Sequence, residues 1–403
     1  MLFGMSSRAS GNVQDLRRNN RDVLLGIIRA GGPTHRAELA RRSGLSRSAV
    51  SAIVMDLLNE NVLAPVVPRT GAVVGRRGEL LTLASEAGLL AGIDYSLGAV
   101  HVVVTNLEHV VVGERVRPLD AGAQWPERLD EGIAALREVL AECGPPGEAL
   151  RGVGLGIPDP VDLQSGTIGR ARSGATWTKA RAAEVLSERV GVPVAMDNTA
   201  HLAALAEVAW GAATRVRNMI YVKMSYGVGA GFLINGEIYR GSIGAAGELG
   251  HVSIDDSGPA CPCGNRGCLE LYVGGTALLD LLRPAIGDQV TLDELVGATV
   301  DGHRVARRLV SDAGATTGRV LASVCNLLDP ELVVIGGDLA DAGDVLLNPL
   351  RTSLARHAVG IIGSHVKVVA AGLGRRAGAL GGIALLRQNL QNSDADRGSG
   401  ASR

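Results

Sequence analysis

The sequence predicts an α/β protein in which a body of two related lobes follows a small, basic, helical domain. Three observations lead there. Residues 1–84 space their apolar side chains as helices do, the chain beyond them alternates strands with helices, and two strand-rich stretches match one another 129 positions apart.

At 403 residues, with about 100–200 residues to a domain, two or three domains are expected. A hydrophobic content of 46% can fill real cores and excludes a chain disordered throughout. No apolar run approaches the roughly 18 residues of a membrane span. Residues 1–10 hold no secretory hydrophobic stretch, so no membrane partner is expected and the chain is assigned to the cytoplasm. Aromatic residues, at 2%, argue against modules that stack RNA bases on aromatic rings. The net charge of −1 hides an asymmetry. Residues 1–84 hold 12 Arg/Lys against 6 Asp/Glu, which leaves the remainder at −7. A basic end on an acidic body points to a nucleic-acid module on a solvated core.

Leu16, Val23, Leu24, Ile27 and Ile28 form the first helical stripe, which stops at Gly31-Gly32-Pro33. Thr34 is placed to cap a short helix over about 35–42. Ser43-Gly44-Leu45 follows as a tight turn, with Gly44 free to take a positive φ. Ser46 caps a longer helix whose buried face is Val50, Ile53, Val54, Leu57 and Leu58. Extended runs near 63–67 and 79–83 flank 69–78 like a small hairpin. Two helices joined by a short glycine-containing turn can lay the second in a major groove about 12 Å wide. Arg47, Ser48 and Ser51, beside the capping Ser46, then face base edges and phosphates. Arg36, Arg41 and Arg42 on the preceding helix suit phosphates. Arg76 and Arg77, at the hairpin tip, can enter a minor groove. Residues 1–84 are thus read as an all-α winged helix-turn-helix domain binding double-stranded operator DNA.

The body begins with a meander of strands at 89–95, 99–105 and 110–116. A helix (126–142), a strand (152–157), a helix (179–190), a strand (192–196) and a helix (200–211) follow. A second meander runs at 219–223, 229–234 and 237–239. The 129-residue offset aligns Ser96 with Ser225, Gly98 with Gly227, Asn106 with Asn235 and Glu108 with Glu237. All four matches sit at turns, as expected of a duplicated unit with a cleft between its copies. The polar stretch after Asn389 reads as a disordered tail over 391–403.

Of five cysteines, Cys143 and Cys325 stand alone while Cys261, Cys263 and Cys268 cluster. An odd count disfavours a disulfide scaffold. The pattern His251-x9-Cys261-x-Cys263-x4-Cys268 offers one imidazole and three thiolates, a closed tetrahedral shell for structural zinc. Gly264 and Gly267 let the chain fold back so that the sulfurs converge. Spacing alone leaves open whether His251 is the fourth ligand.

Glu248-x-Gly250-His251, followed by Cys261-x-Cys263-Gly264-x2-Gly267-Cys268-x-Glu270, resembles the signature of the ROK family of repressors, open reading frames and sugar kinases. The resemblance covers nearly the whole chain, and the N-terminal domain is similar to that of the family's repressor branch. It implies an actin-like, ribonuclease H-like sugar-kinase fold of two lobes around a sugar cleft, with zinc on His251, Cys261, Cys263 and Cys268. It also implies that Glu248, His251 and Glu270 contact sugar hydroxyls. Carboxylates suit that task because they accept bonds from vicinal hydroxyls. By the same resemblance residues 85–208, completed by a C-terminal helix at about 372–390, form the first lobe. Residues 209–371 form the second, with the zinc loop and a surface for a homodimer or homotetramer.

Against the family's kinases, the phosphate-binding machinery departs. Their first phosphate loop, Asp-x-Gly-Gly-Thr, is Asp94-Tyr95-Ser96-Leu97-Gly98 here, and their Gly-Thr-Gly is Ser225-Tyr226-Gly227. Leu97 and Tyr226 add bulk where phosphate oxygens would meet bare N–H groups. The catalytic aspartate of Glu-Asn-Asp-Ala-Asn is Thr199 in Asp197-Asn198-Thr199-Ala200-His201. A threonine hydroxyl is too weakly acidic to serve as the base, and losing a general base costs about 10²–10⁴ in rate. His201, two residues on, is expected to point elsewhere, while Asn198 remains to bond a sugar hydroxyl. Asp159 stands where the family has glycine, and Ser173-Gly174-Ala175-Thr176-Trp177 lacks a ligand-gripping asparagine. Gly336-Gly337 matches the adenosine loop but serves equally as a structural turn. The reading is therefore a sugar-controlled transcriptional regulator, a repressor of carbohydrate genes, with no enzymatic activity and no ATP. The competing reading is an ATP-dependent sugar kinase carrying an extra DNA-binding domain.

Overall fold

The computed structural model describes residues 13–60, 62–65, 80–83, 88–107, 109–120, 122–143, 150–162, 165–169, 177 and 181–399. The N-terminal head comprises α1 (Val13–Gly31), β1 (Thr34–His35), α2 (Arg36–Ser43), α3 (Arg47–Asn59), β2 (Leu63–Pro65) and β3 (Leu80–Leu83). Helix α1 buries Leu24, Leu25 and Ile28 against Leu39, Val50, Ile53, Val54 and Leu57. Val23, expected in that stripe, is exposed; Leu25 takes the inward position. Leu58 is only partly buried. Gly44 ends α2 at φ 71°, and the Ser46 hydroxyl caps α3 by accepting from the Ala49 N–H at 3.2 Å.

Thr34 departs from its expected role. It caps nothing: α2 starts at Arg36 with His35 at its N-cap, and Thr34 is buried in β1, paired antiparallel with Leu81. A β-branched residue finds more contact in a strand than at an exposed helix end, and the pairing turns the expected hairpin into a three-stranded sheet ordered β1-β3-β2. The head is therefore helical plus a small sheet, where an all-α domain was expected.

The body carries the same five-stranded sheet twice. In the first lobe come β4 (Leu89–Tyr95), β5 (Ala99–Asn106), β6 (Val111–Pro118), α4 (Trp125–Cys143), β7 (Leu150–Ile157), the short hairpin β8 (Val161–Asp162) and β9 (Thr167–Ile168), α5 (Ala182–Val190), β10 (Val194–Asn198) and α6 (Thr199–Trp210). The second lobe has β11 (Met219–Met224), β12 (Val228–Ile234), β13 (Glu237–Tyr239), α7 (Glu270–Val273), α8 (Gly275–Ile286), α9 (Leu292–Val300), α10 (Arg304–Leu328), β14 (Leu332–Gly336), α11 (Asp344–His357), α12 (Gly360–His365) and β15 (Lys367–Ala370). The chain closes with α13 (Ala377–Ser399). Strand orders β6-β5-β4-β7-β10 and β13-β12-β11-β14-β15 are the same topology, an antiparallel meander followed by two parallel strands. The 129-residue offset is a structural repeat.

Helix α13 lies on β4 and β7 of the first sheet, α6 lies on β11 and β12 of the second, and the two helices pack on each other. Glycine makes this possible. A Cβ on Gly154 of β7 would sit 2.0 Å from the carbonyl carbon of Gly382, and one on Gly381 would sit 1.8 Å from the Leu202 carbonyl oxygen of α6. The buried carboxylate of Glu207 ties the end of α6 to the segment leading into α13, accepting from the N–H groups of Ala212 (2.6 Å), Leu373 (2.9 Å) and Gly372 (3.0 Å). The tail expected to be disordered departs too: α13 continues to Ser399. Residues 389–397 contain neither glycine nor proline, so a helix already anchored by its buried half propagates through them.

Glu207→Ala is expected to leave three N–H groups without their acceptor and to lower unfolding stability by about 3 kcal/mol, read from urea titration by circular dichroism.

Candidate functional site

In the head, Arg47, Ser48 and Ser51 are exposed on the first turns of α3, as a groove-reading surface requires. Ser46 is engaged in its cap and lies 3.0 Å from the Ser48 hydroxyl. Arg42 lies over the C-terminal end of α1, its Nη1 2.5 Å from where a Gly31 Cβ would stand. Arg41 is exposed but forks onto Glu38 (2.6 and 2.8 Å), a surface pair of small worth that a phosphate can replace. Arg36 is half-buried. Arg76 and Arg77 lie outside the described residues, as do Ser173–Thr176 and Glu108.

In the second lobe the single-turn 3₁₀ helix Leu249–His251 faces a loop built on Gly264 (φ 102°) and Gly267 (φ 58°), with Ser253 bridged to Cys268. One ligand atom each from His251, Cys261, Cys263 and Cys268 all lie within 4.8 Å of one another. His251 Nδ1 is 3.6 Å from Cys261 Sγ, and Cys263 Sγ is 3.6 Å from Cys268 Sγ. With metal–sulfur bonds of about 2.3 Å and metal–nitrogen bonds of about 2.0 Å, a tetrahedron has edges of roughly 3.5–3.8 Å. The donor set and its spacing therefore fit one tetrahedral ion.

His251 turns its other nitrogen into the cleft, where Nε2 lies 3.8 Å from Glu248 Oε2. Burial, reinforced by the charges of Glu270 and Asp159 and opposed by His201, pushes the Glu248 carboxyl up to about 7. Glu270, at the start of α7, accepts from the Val228 N–H at 2.8 Å. From the first lobe, Asn198 caps α6 by accepting from the Ala200 N–H (2.8 Å) and donates to the Asp159 carbonyl (3.2 Å). Glu248 thus feels the charges of Glu270 and Asp159, and Asn198 is bonded to the Asp159 carbonyl, which groups four acceptors whose chemistry suits a polyhydroxylated ligand. Thr199 is buried as the first residue of α6.

The buried His201 ring is held by two partners of its own. Its Nδ1 lies 3.0 Å from Asp197 Oδ1 and its Nε2 2.7 Å from the Ala246 carbonyl. Arg240 Nε donates to the second Asp197 oxygen at 2.7 Å. Burial disfavours the Asp197 charge, yet His201 and Arg240 together hold that carboxyl below its ordinary value.

Deeper in the cleft the two loops that follow β4 and β11 face each other. Tyr226 fills the gap, its Oη 2.9 Å from where a Gly98 Cβ would stand. Asp94 and Lys223 form an ion pair across the lobes at 3.3 Å, with Asp94 almost wholly buried. Burial raises the Asp94 carboxyl, and Lys223 opposes that shift. Buried Arg128 holds the first loop by donating to the carbonyls of Ser96 (3.0 Å) and Leu97 (3.1 Å). Ser225 donates to Asp338, and Arg375 pairs with Asp293 and Asp338. Gly337, at φ 83°, packs against the end of β11, so this glycine pair has a structural task.

Lys223, Arg128, Arg240 and Arg375 were not among the sequence candidates. A signal for the first was present: Lys223 stands 129 residues after Asp94, so the repeat pairs equivalent positions of its two copies across the cleft.

A DNA-reading type of head on an actin-like kinase scaffold defines the class, and the chain belongs to the ROK family, whose family description matches residues 91–389. It is 30% identical to the putative xylose repressor of Caldicellulosiruptor sp. (strain Rt8B.4), covering 94% of this chain and 98% of that one. Among solved structures it resembles a ROK family transcriptional regulator described as a homologue of the Escherichia coli MLC protein (TM-score 0.75, 22% identity, 93% and 97% of the two chains). It also resembles a ROK family glucokinase from Streptomyces griseus in complex with glucose and AMPPNP (TM-score 0.68, 28% identity), with 75% of this chain spanning all of the enzyme. No described helix is long and apolar enough to cross a membrane.

Cys268→Ser is expected to drop bound metal from about one ion per chain to near none, read by plasma mass spectrometry, whereas Cys325→Ser leaves it unchanged.

Proposed function

We propose that this protein is a sugar-responsive transcriptional repressor that binds operator DNA through its head and senses a carbohydrate with a kinase-like body that does not phosphorylate it. The observation that carries the reading is the contrast within one cleft. The acceptors Glu248, Glu270, Asp159 and Asn198 suit the hydroxyls of a polyol, while Tyr226 and the Asp94–Lys223 pair occupy the ground between the loops that a nucleotide's phosphates need. Thr199 stands where the family's kinases carry the aspartate that takes the hydroxyl proton, and a threonine hydroxyl is too weakly basic to replace it. The likeness over 94% of the chain to a protein named as a putative xylose repressor supports the regulatory assignment.

In this reading residues 1–84 form a winged helix-turn-helix, with Arg47, Ser48 and Ser51 toward base edges, Arg36, Arg41 and Arg42 toward phosphates, and Arg76 and Arg77 toward a minor groove. Residues 85–208 with the C-terminal helix, and residues 209–371, are the two lobes. Zinc on His251, Cys261, Cys263 and Cys268 is structural: it fixes the His251 ring so that Nε2 faces the sugar beside Glu248. The body assembles as a homodimer or homotetramer, so a dimer reads a pseudo-palindromic operator with half-sites about 10 bp apart or a multiple of that. A sugar alters DNA affinity by the difference in its affinity for the two states of the body.

Fluorescence anisotropy on duplexes from upstream of sugar-utilisation genes tests the assignment. Deleting residues 1–84 should abolish binding. Arg47→Ala should weaken it about 5- to 100-fold and relax sequence preference, while Arg41→Ala should mainly flatten the salt dependence. In a coupled assay with ATP across hexoses and pentoses, ADP release should stay at background; turnover at an enzymatic rate would establish the sugar-kinase reading instead.

A further inference from the structure

A buried set of charges ties together the two chain segments that carry Asn198 and Glu248. The side chains of His201 and Asp197 are buried, and that of Arg240 is three-quarters buried. Both ring nitrogens of His201 face acceptors: Nδ1 lies 3.0 Å from Asp197 Oδ1, and Nε2 lies 2.7 Å from the Ala246 carbonyl oxygen. A carbonyl cannot donate. Nor does this carboxylate, which is ionised: its oxygens accept from the Asn198 N–H at 2.7 Å and from Arg240 Nε at 2.7 Å. The ring therefore carries a proton on each nitrogen and is an imidazolium. An asparagine, which the kinase pattern given above has at this position, donates from a single nitrogen. Charged neighbours of the ring are Asp197, Arg240 beyond that carboxylate, and Glu248, whose ionised form the His201 charge favours.

The segment between Arg240 and Glu248 needs such a tie. Gly241, Gly244 and Gly247 lie in it at φ 73°, 95° and 97°, so its backbone, left to itself, has many conformations open to it. Its two ends are the points held. The Ala246 N–H donates to the Arg240 carbonyl at 3.1 Å, the Arg240 side chain reaches Asp197, and His201 reaches the Ala246 carbonyl. Glu248 follows two residues later. Asn198, bonded through its own N–H to Asp197, stands on the other side of the tie. Well-packed apolar residues of similar volume stabilise a fold as well as a buried ion set does, so stability alone does not account for these charges. What charge-assisted bonds add is a fixed direction and distance between the two segments.

We propose that Asp197, a charged His201 and Arg240 are positioning residues of the carbohydrate site, fastening the Glu248 segment to the Asn198 segment and so setting the separation at which a sugar meets both. The inference rests on the sugar-sensing reading for its purpose, but one arm of its test needs no sugar, so the two fail separately. In the full-length protein labelled with nitrogen-15 histidine, the ring signals that vanish in His201→Gln should show a proton on each nitrogen at neutral pH. In Arg240→Met, hydrogen exchange at the Ala246 and Leu249 amides should quicken at least about tenfold, while β7 amides and bound metal keep the parent's values. Arg240→Lys should retain most of the protection, because an ammonium donates to the same carboxylate. On an Asp197→Asn background, Arg240→Met should have no further effect. Should Arg240→Met fail to fold, His201→Gln gives the same exchange measurement. Calorimetry with a panel of hexoses and pentoses that includes D-xylose and D-glucose separates the readings. A parent that binds none counts against sugar sensing and leaves exchange to decide the tie, whereas a sugar held as tightly by Arg240→Met as by the parent overturns the positioning role. A His201 nitrogen without its proton, unchanged exchange at Ala246 and Leu249, or an Arg240→Met effect undiminished on the Asp197→Asn background overturns the proposal.

Discussion

The body depends on the close approach of α13 to the first sheet and to α6, an approach closed to any residue larger than glycine at Gly154 and Gly381. Two helices, back to back, fill the space between two copies of one sheet, and the cleft is what remains beside them. Because α13 comes from the end of the chain and α6 from its middle, the lobes are joined by packing as well as by sequence. The Glu207 carboxylate, shared by three N–H groups from both ends of that arrangement, fixes the spacing between them.

The cleft then divides by chemistry. Its outer part keeps carboxylates held up by scaffold bonds: Glu270 by the Val228 N–H, Glu248 beside an imidazole whose other nitrogen joins the cysteine cluster. Its inner part is filled from within, by a tyrosine over a glycine and by an ion pair between symmetry-equivalent positions. Asp94 is buried and paired with Lys223, so a residue that matches the kinase pattern in sequence has become a tie between lobes. In the proposed reading the same scaffold would recognise a polyol and leave little room for a second, phosphorylated substrate.

Much of this was legible in the sequence, for identifiable reasons. The α3 stripe, the Ser46 cap and the αL glycine at Gly44 follow from local rules, and the His/Cys cluster follows from side-chain chemistry at fixed spacing. The repeat was readable because turns restrict residue choice. What escaped was decided by distant partners. Thr34 went into a strand because Leu81 lies beside it, and Val23 faces out because Leu25 fits the head core better. The tail is helical because its first half is anchored elsewhere. Asn198 was expected to serve a sugar and also carries a cap and a tie to Asp159, two bonds visible only once α6 and the 159 turn are in place.

The central claim is that one body couples a carbohydrate to DNA. Coupling between two binding sites is reciprocal, so the most direct measurement is calorimetric sugar affinity of the full-length protein, free and saturated with operator duplex. The account predicts one sugar whose affinity falls when DNA is bound, by the same factor as that sugar weakens DNA binding. An identical sugar affinity in the two states, for every sugar that binds, would contradict it.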